Sequence, residues 1–222
     1  MKKGAEDTET ALREARAAGW KLDEAVSRQR LREQGKRSLA ENLAEGPRLE
    51  RVPVELHRRR SPVSRPARLR ELIEQIAGAD VDFVVVGGLA VNAWGHLRGT
   101  RDVDIVRNPD AGNLDRLTKV LERLGGRVEV AGGKLAAGVI GTFLKVGDRT
   151  LVATELGPVD VLQGLPQVPR YADLCADAVA VDLGGTVVRV CSLEALLAMK
   201  RASPRPRDRE DVAALEEANR DD

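Results

Sequence analysis

VDFVVVGGLAVNAWGHLRGTRDVDIV, residues Val81 to Val106, is the stretch whose reading decides the fold. Val81 to Val86 is apolar and largely β-branched, the composition of a buried strand. Gly87-Gly88 interrupts that run, and Leu89 to His96 has the composition of a short helix. Arg101 to Val106 returns to strand, with Val103 and Ile105 alternating against Asp102 and Asp104.

Side chains at i and i+2 of a strand leave on the same face. Asp102 and Asp104 therefore point together while Val103 and Ile105 point into the core. Two aligned carboxylates repel unless a positive charge sits between them, and oxygen-only ligands suit Mg²⁺ or Mn²⁺. The Gly87-Gly88 turn supplies the complementary half. Glycine lets the backbone approach a ligand closely, and a helix start offers free N–H groups to phosphate. Metal-binding carboxylates facing a phosphate cradle point to metal-assisted phosphoryl or nucleotidyl transfer. Alone, an Asp-x-Asp is common at strand ends and a Gly-Gly is only a turn. Their order, with thirteen residues between Gly88 and Asp102, makes the combination specific.

Working outward, Leu69, Leu72, Ile73 and Ile76 mark an amphipathic helix leading into the Val81 strand. Asn113 to Leu124 reads as a second, with Leu114, Leu117, Val120, Leu121 and Leu124 inward. Arg127 to Val130 is a short strand and Gly132-Gly133 a turn. A β-rich portion is expected next: Gly141 to Val146, a hairpin turn at Gly147-Asp148, Thr150 to Thr154, and Val159 to Leu162. Asp160 lies between Val159 and Val161, pointing away from these core residues; taken alone it is an exposed carboxylate on a half-buried strand. Tyr171 to Ala178 forms a short helix, followed by strands Val179–Leu183 and Thr186–Val190 joined by Gly184-Gly185. Ser192 is suited to N-cap a helix running to about Arg201, with Ala195 at its third position in place of a capping-box Glu. Ser203-Pro204-Arg205-Pro206 breaks it, and a final helix starts near Arg207.

Residues 1–46 are rich in Ala, Glu, Arg and Lys and read as a helical N-terminal extension, with helices over Thr8–Ala18 and Leu22–Leu43. The apolar stripe of the second is thin, so it needs a partner surface. Residues 47–66 hold Pro47, Pro53, Pro62, Pro66 and Arg58-Arg59-Arg60 and read as a linker. The Arg triplet is ordinarily a solvated run; contact with RNA phosphate is the alternative. Residues 67–222 make the catalytic domain. The near-zero net charge hides an asymmetry: residues 1–66 carry 16 Lys and Arg against 11 Asp and Glu, the remainder 20 against 24. A basic appendage on a mildly acidic body leans towards nucleic acid.

No apolar run approaches the roughly 18–20 residues that cross a bilayer, and no signal-peptide core follows Lys2-Lys3, so a cytoplasmic protein with no membrane partner is expected. Cys175 and Cys191 lack metal or disulfide spacing and read as core residues in a reducing compartment. His57 and His96 have no partners at metal spacing. Trp94 reads as core, with base stacking conceivable.

The order strand, Gly87-Gly88, helix, Asp102-Val103-Asp104 resembles the fingerprint of the nucleotidyltransferase superfamily. The run Arg98-Gly99-Thr100-Arg101-Asp102-Val103-Asp104 is similar to its bacterial AbiEii-like and MenT-like, toxin-type branch. So is the tail, Lys200 followed by Asp208 and Asp211, which matches that branch's phosphate-reaching lysine and acidic pair. The resemblance covers roughly residues 67–218. It implies an α+β, polymerase-β-like fold with a mixed sheet and flanking helices, and Mg²⁺ or Mn²⁺ held by Asp102, Asp104 and Asp160. It further implies that Asp160 deprotonates the attacking hydroxyl and that Gly87, Gly88, Arg98, Thr100 and Asp211 serve the nucleotide. Lys200 would stabilise the pyrophosphate leaving group. Many relatives carry Gly-Ser where this chain has Gly87-Gly88, which implies fewer hydroxyl contacts and more reliance on Lys200 and Arg98. Relatives in the MenT-like branch are toxins that add nucleotides to tRNA 3′ ends, while others modify small molecules such as aminoglycosides, or proteins. The implied partners are an NTP, tRNA or other RNA, and a cognate antitoxin. A domain retired to binding or antitoxin duty is the non-enzymatic alternative; the intact triad argues against it.

Overall fold

A computed structural model describes residues 29, 32–45, 68–130, 133–135 and 137–220. Its elements, in chain order, are α1 (Leu39–Glu45), α2 (Leu69–Ala77), β1 (Phe83–Val85), α3 (Gly87–Ala93), β2 (Val103–Arg107), α4 (Ala111–Arg123), β3 (Arg127–Val130) and β4 (Gly133–Lys134). A 3₁₀ turn (Ala137–Val139) leads into α5 (Ile140–Val146). Then come β5 (Arg149–Ala153), β6 (Pro158–Leu162), α6 (Tyr171–Ala176), β7 (Val179–Asp182), β8 (Val187–Val190), α7 (Leu193–Ala202) and α8 (Pro206–Ala218).

The strands form one eight-stranded sheet in the order β4-β3-β5-β6-β2-β1-β8-β7. It is mixed: β2 runs parallel to β6 and β1 parallel to β8, with antiparallel pairs elsewhere. The expected α+β fold is therefore present. Parallel pairing of β2 with β6 sets Asp104 directly beside Asp160, so two carboxylates 56 residues apart in the chain share one sheet face. Their neighbours Val103, Ile105, Val159 and Val161 are buried on the other face.

Apolar spacing builds the helices onto this sheet. Leu72, Ile73 and Ile76 of α2 and Leu117, Val120 and Leu121 of α4 are almost wholly buried. The Asp110 carboxylate caps α4 by accepting from the Asn113 N–H at 3.0 Å. As expected, the Ser192 hydroxyl caps α7 by accepting from the Ala195 N–H. Pro206 at the first turn of α8 restarts the chain after the 203–205 break.

Two expectations are corrected. Gly141 to Val146 is helical, since Ile140 and Leu144, four apart, are both buried and the segment packs beside α4. Gly147-Asp148 is accordingly a helix-to-strand turn, and the β5–β6 hairpin is closed instead by Thr154–Gly157. The second N-terminal helix does not run unbroken to Leu43. Ser38 starts a new helix, its hydroxyl accepting from the Glu41 N–H while the Glu41 carboxylate accepts from the Ser38 N–H. That capping box ends one helix and begins another. The Thr8–Ala18 helix, the 47–66 linker and the Gly132-Gly133 turn lie wholly or partly outside the described residues.

The described part of the extension packs on the domain. Leu43 joins the core, the Asn42 amide donates to the Ala93 carbonyl, and Arg32 pairs with Glu217 of α8. No helix among the described residues is long and apolar enough to cross a membrane.

Candidate active site

β1 and β2 are antiparallel neighbours, so the turn leaving β1 lies beside the start of β2. Gly87 makes that turn with φ +61°, a left-handed conformation that favours glycine. A Cβ here would fall on the Asp104 carboxylate. The next N–H, that of Gly88, donates to Asp104 Oδ2 at 3.3 Å. The glycine pair thus lies directly against the carboxylate.

Asp102, Asp104 and Asp160 are close enough to repel. Burial, then the charges of Asp102 and Asp160, push the Asp104 carboxyl up to about 6, against the Gly88 N–H and the more distant charge of Lys200. Asp160 is nearly inaccessible. Arg149 of β5 lies across it, donating from Nε to both carboxylate oxygens at 3.0 and 2.8 Å and placing a terminal nitrogen 2.5 Å from Oδ2. Among the described residues no three His, Cys, Asp or Glu side chains stand as a ready-made metal cage; both oxygens of Asp160 are already engaged.

Thr100 and Arg98 line the Gly88 side. A Cβ on Gly88 would come 2.5 Å from Thr100 Oγ1 and 3.4 Å from an Arg98 guanidinium nitrogen. The threonine hydroxyl therefore fills the space that a side chain on Gly88 would need, so the turn is served by a hydroxyl from the loop as well as by backbone donors. Thr100 Oγ1 also lies 3.2 Å from Asp102 Oδ1.

The tail folds back behind this loop. Asp211 has no exposed surface. It accepts from Arg98 Nε at 2.6 Å and from its terminal nitrogen at 2.8 Å, a two-pronged pair. Lys200 Nζ lies 2.5 Å from Asp208 Oδ1 and 2.8 Å from Asp211 Oδ2. Ser203 donates to the other Asp208 oxygen, and His96 Nε2 stands 3.7 Å from Asp211. Burial alone would raise both carboxyls, but hydrogen bonds from Lys200, with Arg98 on Asp211 and Ser203 on Asp208, hold them below the usual range. Burial also lowers His96 from its ordinary value, partly opposed by Asp211.

All nine sequence-predicted site residues therefore gather around β2, in two layers. Gly87, Gly88, Thr100, Asp102, Asp104 and Asp160 form the near layer. Asp211 lies behind it, paired with Arg98 and Lys200. The Lys200 ammonium is tethered by two carboxylates rather than free to extend. Two further residues, Arg149 and Asn92, contact this cluster. Arg149 was legible only after fixing the β5–β6 register, which sets Leu151 opposite Asp160 and Arg149 diagonal to it. Asn92, whose Oδ1 accepts from the Arg98 N–H, orders the loop from within α3. Trp94 is structural, its indole N–H donating to the Cys191 carbonyl. Both cysteines are free, and burial pushes the Cys191 thiol up to about 12.

A family model described as "Nucleotidyl transferase of unknown function (DUF2204)" matches residues 66–222. No curated protein matches the chain. Among solved structures, a lincosamide antibiotic adenylyltransferase bound to lincomycin is 19% identical, covering 67% of this chain and 94% of its own, with a TM-score of 0.47. ANT(2″)-Ia in complex with adenylyl-2″-tobramycin is 17% identical over 66% of this chain and 86% of its own, with a TM-score of 0.44. An antigenic nucleotidyltransferase-like protein from Paracoccidioides brasiliensis is 20% identical over 67% and 75%, with a TM-score of 0.46.

Proposed function

This chain belongs to the nucleotidyl transferase family DUF2204, and we propose that it transfers NMP from an NTP to an acceptor hydroxyl with release of pyrophosphate. The observation that supports this most directly is the convergence of Asp102, Asp104 and Asp160 beneath the Gly87 turn, where burial and then the charges of Asp102 and Asp160 push the Asp104 carboxyl up to about 6. Three crowded carboxylates, one of them packed directly against the Gly87 turn, are oxygen ligands of the kind that suits a small hard dication. Mg²⁺ or Mn²⁺ bound there would offset the carboxylate repulsion and polarise the transferred phosphate.

The chain's own residues do the rest. The Gly87-Gly88 backbone and the Thr100 hydroxyl position phosphate oxygens. Arg98, held by Asp211, adds a fixed positive charge beside them, and Lys200 contributes through space from its tether. The acceptor oxygen forms a bond to the α-phosphorus, the bond to the bridging oxygen breaks, and pyrophosphate leaves. The acceptor's proton passes to Asp160, the buried third carboxylate.

For the acceptor, the basic balance of residues 1–66 favours RNA, with a tRNA 3′ end as in the toxin-type branch, and a cytoplasmic setting with a cognate antitoxin goes with that reading. Purified protein with Mg²⁺, each α-³²P NTP and total bacterial RNA tests it, with Asp104→Ala alongside. Label in tRNA-sized bands, absent with the variant, supports the proposal and names the nucleotide. Label on an aminoglycoside or on protein instead replaces the acceptor. No label on any acceptor and no Mg-NTP binding would mean a retired domain.

A further inference from the structure

We propose that Arg149 is a positioning residue of this site: its guanidinium holds Asp160 in the metal-free protein and is displaced from it when a divalent cation binds. This rests on the metal site proposed above. Arg149 Nε and a terminal nitrogen together engage both oxygens of Asp160, and with that side chain only 3% exposed little of the carboxylate is open while the pair persists. Asp104 and Asp160 are side by side on β2 and β6, so a cation bridging them needs at least one of the oxygens the guanidinium now covers. Two cations on the same oxygens repel strongly at contact distance. An arginine does not lose its proton to relieve this; it has to move.

The geometry permits that movement. The Asp160 side chain is 3% exposed and that of Arg149 50% exposed, so the arginine swings outward into solvent while the carboxylate stays fixed in the sheet. Water screens the half-exposed guanidinium, and an arriving dication replaces the charge that the buried carboxylate loses when the arginine leaves. The guanidinium, paired first with Asp160, also feels the charges of Asp104 and Asp102.

Side-chain NMR reads the exchange directly. In ¹⁵N-labelled protein, the Arg149 Nε–H signal, assigned by its loss in Arg149→Gln, is expected to be sharp and protected from solvent without metal. Saturating Mg²⁺ is expected to abolish that protection while the amides of Val103 and Asp104 shift. In parallel, Mn²⁺ titration of Arg149→Gln is expected to show about 2- to 5-fold tighter binding than wild type, the size expected for removing a partly exposed competing pair. If the Val103 and Asp104 amides shift but the Arg149 signal stays protected, and Mn²⁺ affinity is equal or weaker in Arg149→Gln, the arginine inference fails and the metal site stands. If those amides do not shift at all, the metal site fails and takes the inference with it.

Discussion

A methyl group at Gly87 is the smallest change that probes the site. The left-handed φ costs an ordinary residue roughly 1–2 kcal/mol, and the new Cβ would overlap the Asp104 carboxylate. Gly87→Ala should therefore lower stability by about 2 kcal/mol and abolish transfer. Gly99→Ala, where a Cβ meets nothing within 4 Å, should be near-neutral in a thermal melt. Asp104 gives a pH test. Its carboxyl is raised from an ordinary 3.8 to about 6, so its contribution to stability is greatest below the ordinary value and falls as pH rises through 6. Asp104→Asn should thus raise the melting temperature at pH 7.5, by a gain on the order of 1–3 kcal/mol, yet leave it nearly unchanged at pH 4, while activity disappears. Equal melting at both pH values would contradict the crowding of carboxylates. At this scale the Asp102–Asp104 pair is readable because strand alternation is a local property, whereas Asp160 joins it only through the β2–β6 register. Nor is Arg149 readable locally, since its partnership with Asp160 depends on hairpin register, which the misplaced turn at Gly147-Asp148 obscured.

At the scale of elements, α8 matters for what it holds. Asp208 and Asp211 lie on its first two turns and tie Lys200 of α7 and Arg98 of the β2 loop into one buried cluster. Arg207 adds a hydrogen bond to the Gly99 carbonyl. Removing one charge leaves buried cations short of a partner, which typically costs 3–5 kcal/mol. Asp211→Asn should destabilise by about 3 kcal/mol, with amides of α8 and of residues 98–100 losing hydrogen-exchange protection first. Because both carboxyls sit below their usual range, their contribution is present above the ordinary carboxylate value and is lost as pH falls beneath it; the wild-type acid transition should move to higher pH in this variant. The tail's residues were recognisable in the sequence, but their pairing with one another was not, since it requires α8 to fold back on the loop. The 141–146 misreading had a similar origin. Its composition suits a strand, and only the packing of Ile140 and Leu144 settles the helix.

Across the whole molecule, the described part of the extension is joined to the catalytic body. Gly35 sits so close to the end of α8 that any Cβ would meet the Ala218 carbonyl, and Asn42 and Leu43 reach α3, which carries the glycine turn. Gly35→Val should therefore detach this segment at a cost of about 1–3 kcal/mol, visible as increased proteolysis near residues 32–45 with the domain intact. Diffraction from crystals soaked with Mn²⁺ and a non-hydrolysable NTP tests whether the carboxylates and the glycine turn form one metal-nucleotide site. An anomalous peak against Asp102, Asp104 and Asp160 is expected, with the phosphates against Gly87 and Gly88. A nucleotide bound elsewhere, or a manganese peak remote from Asp104, would contradict a single site.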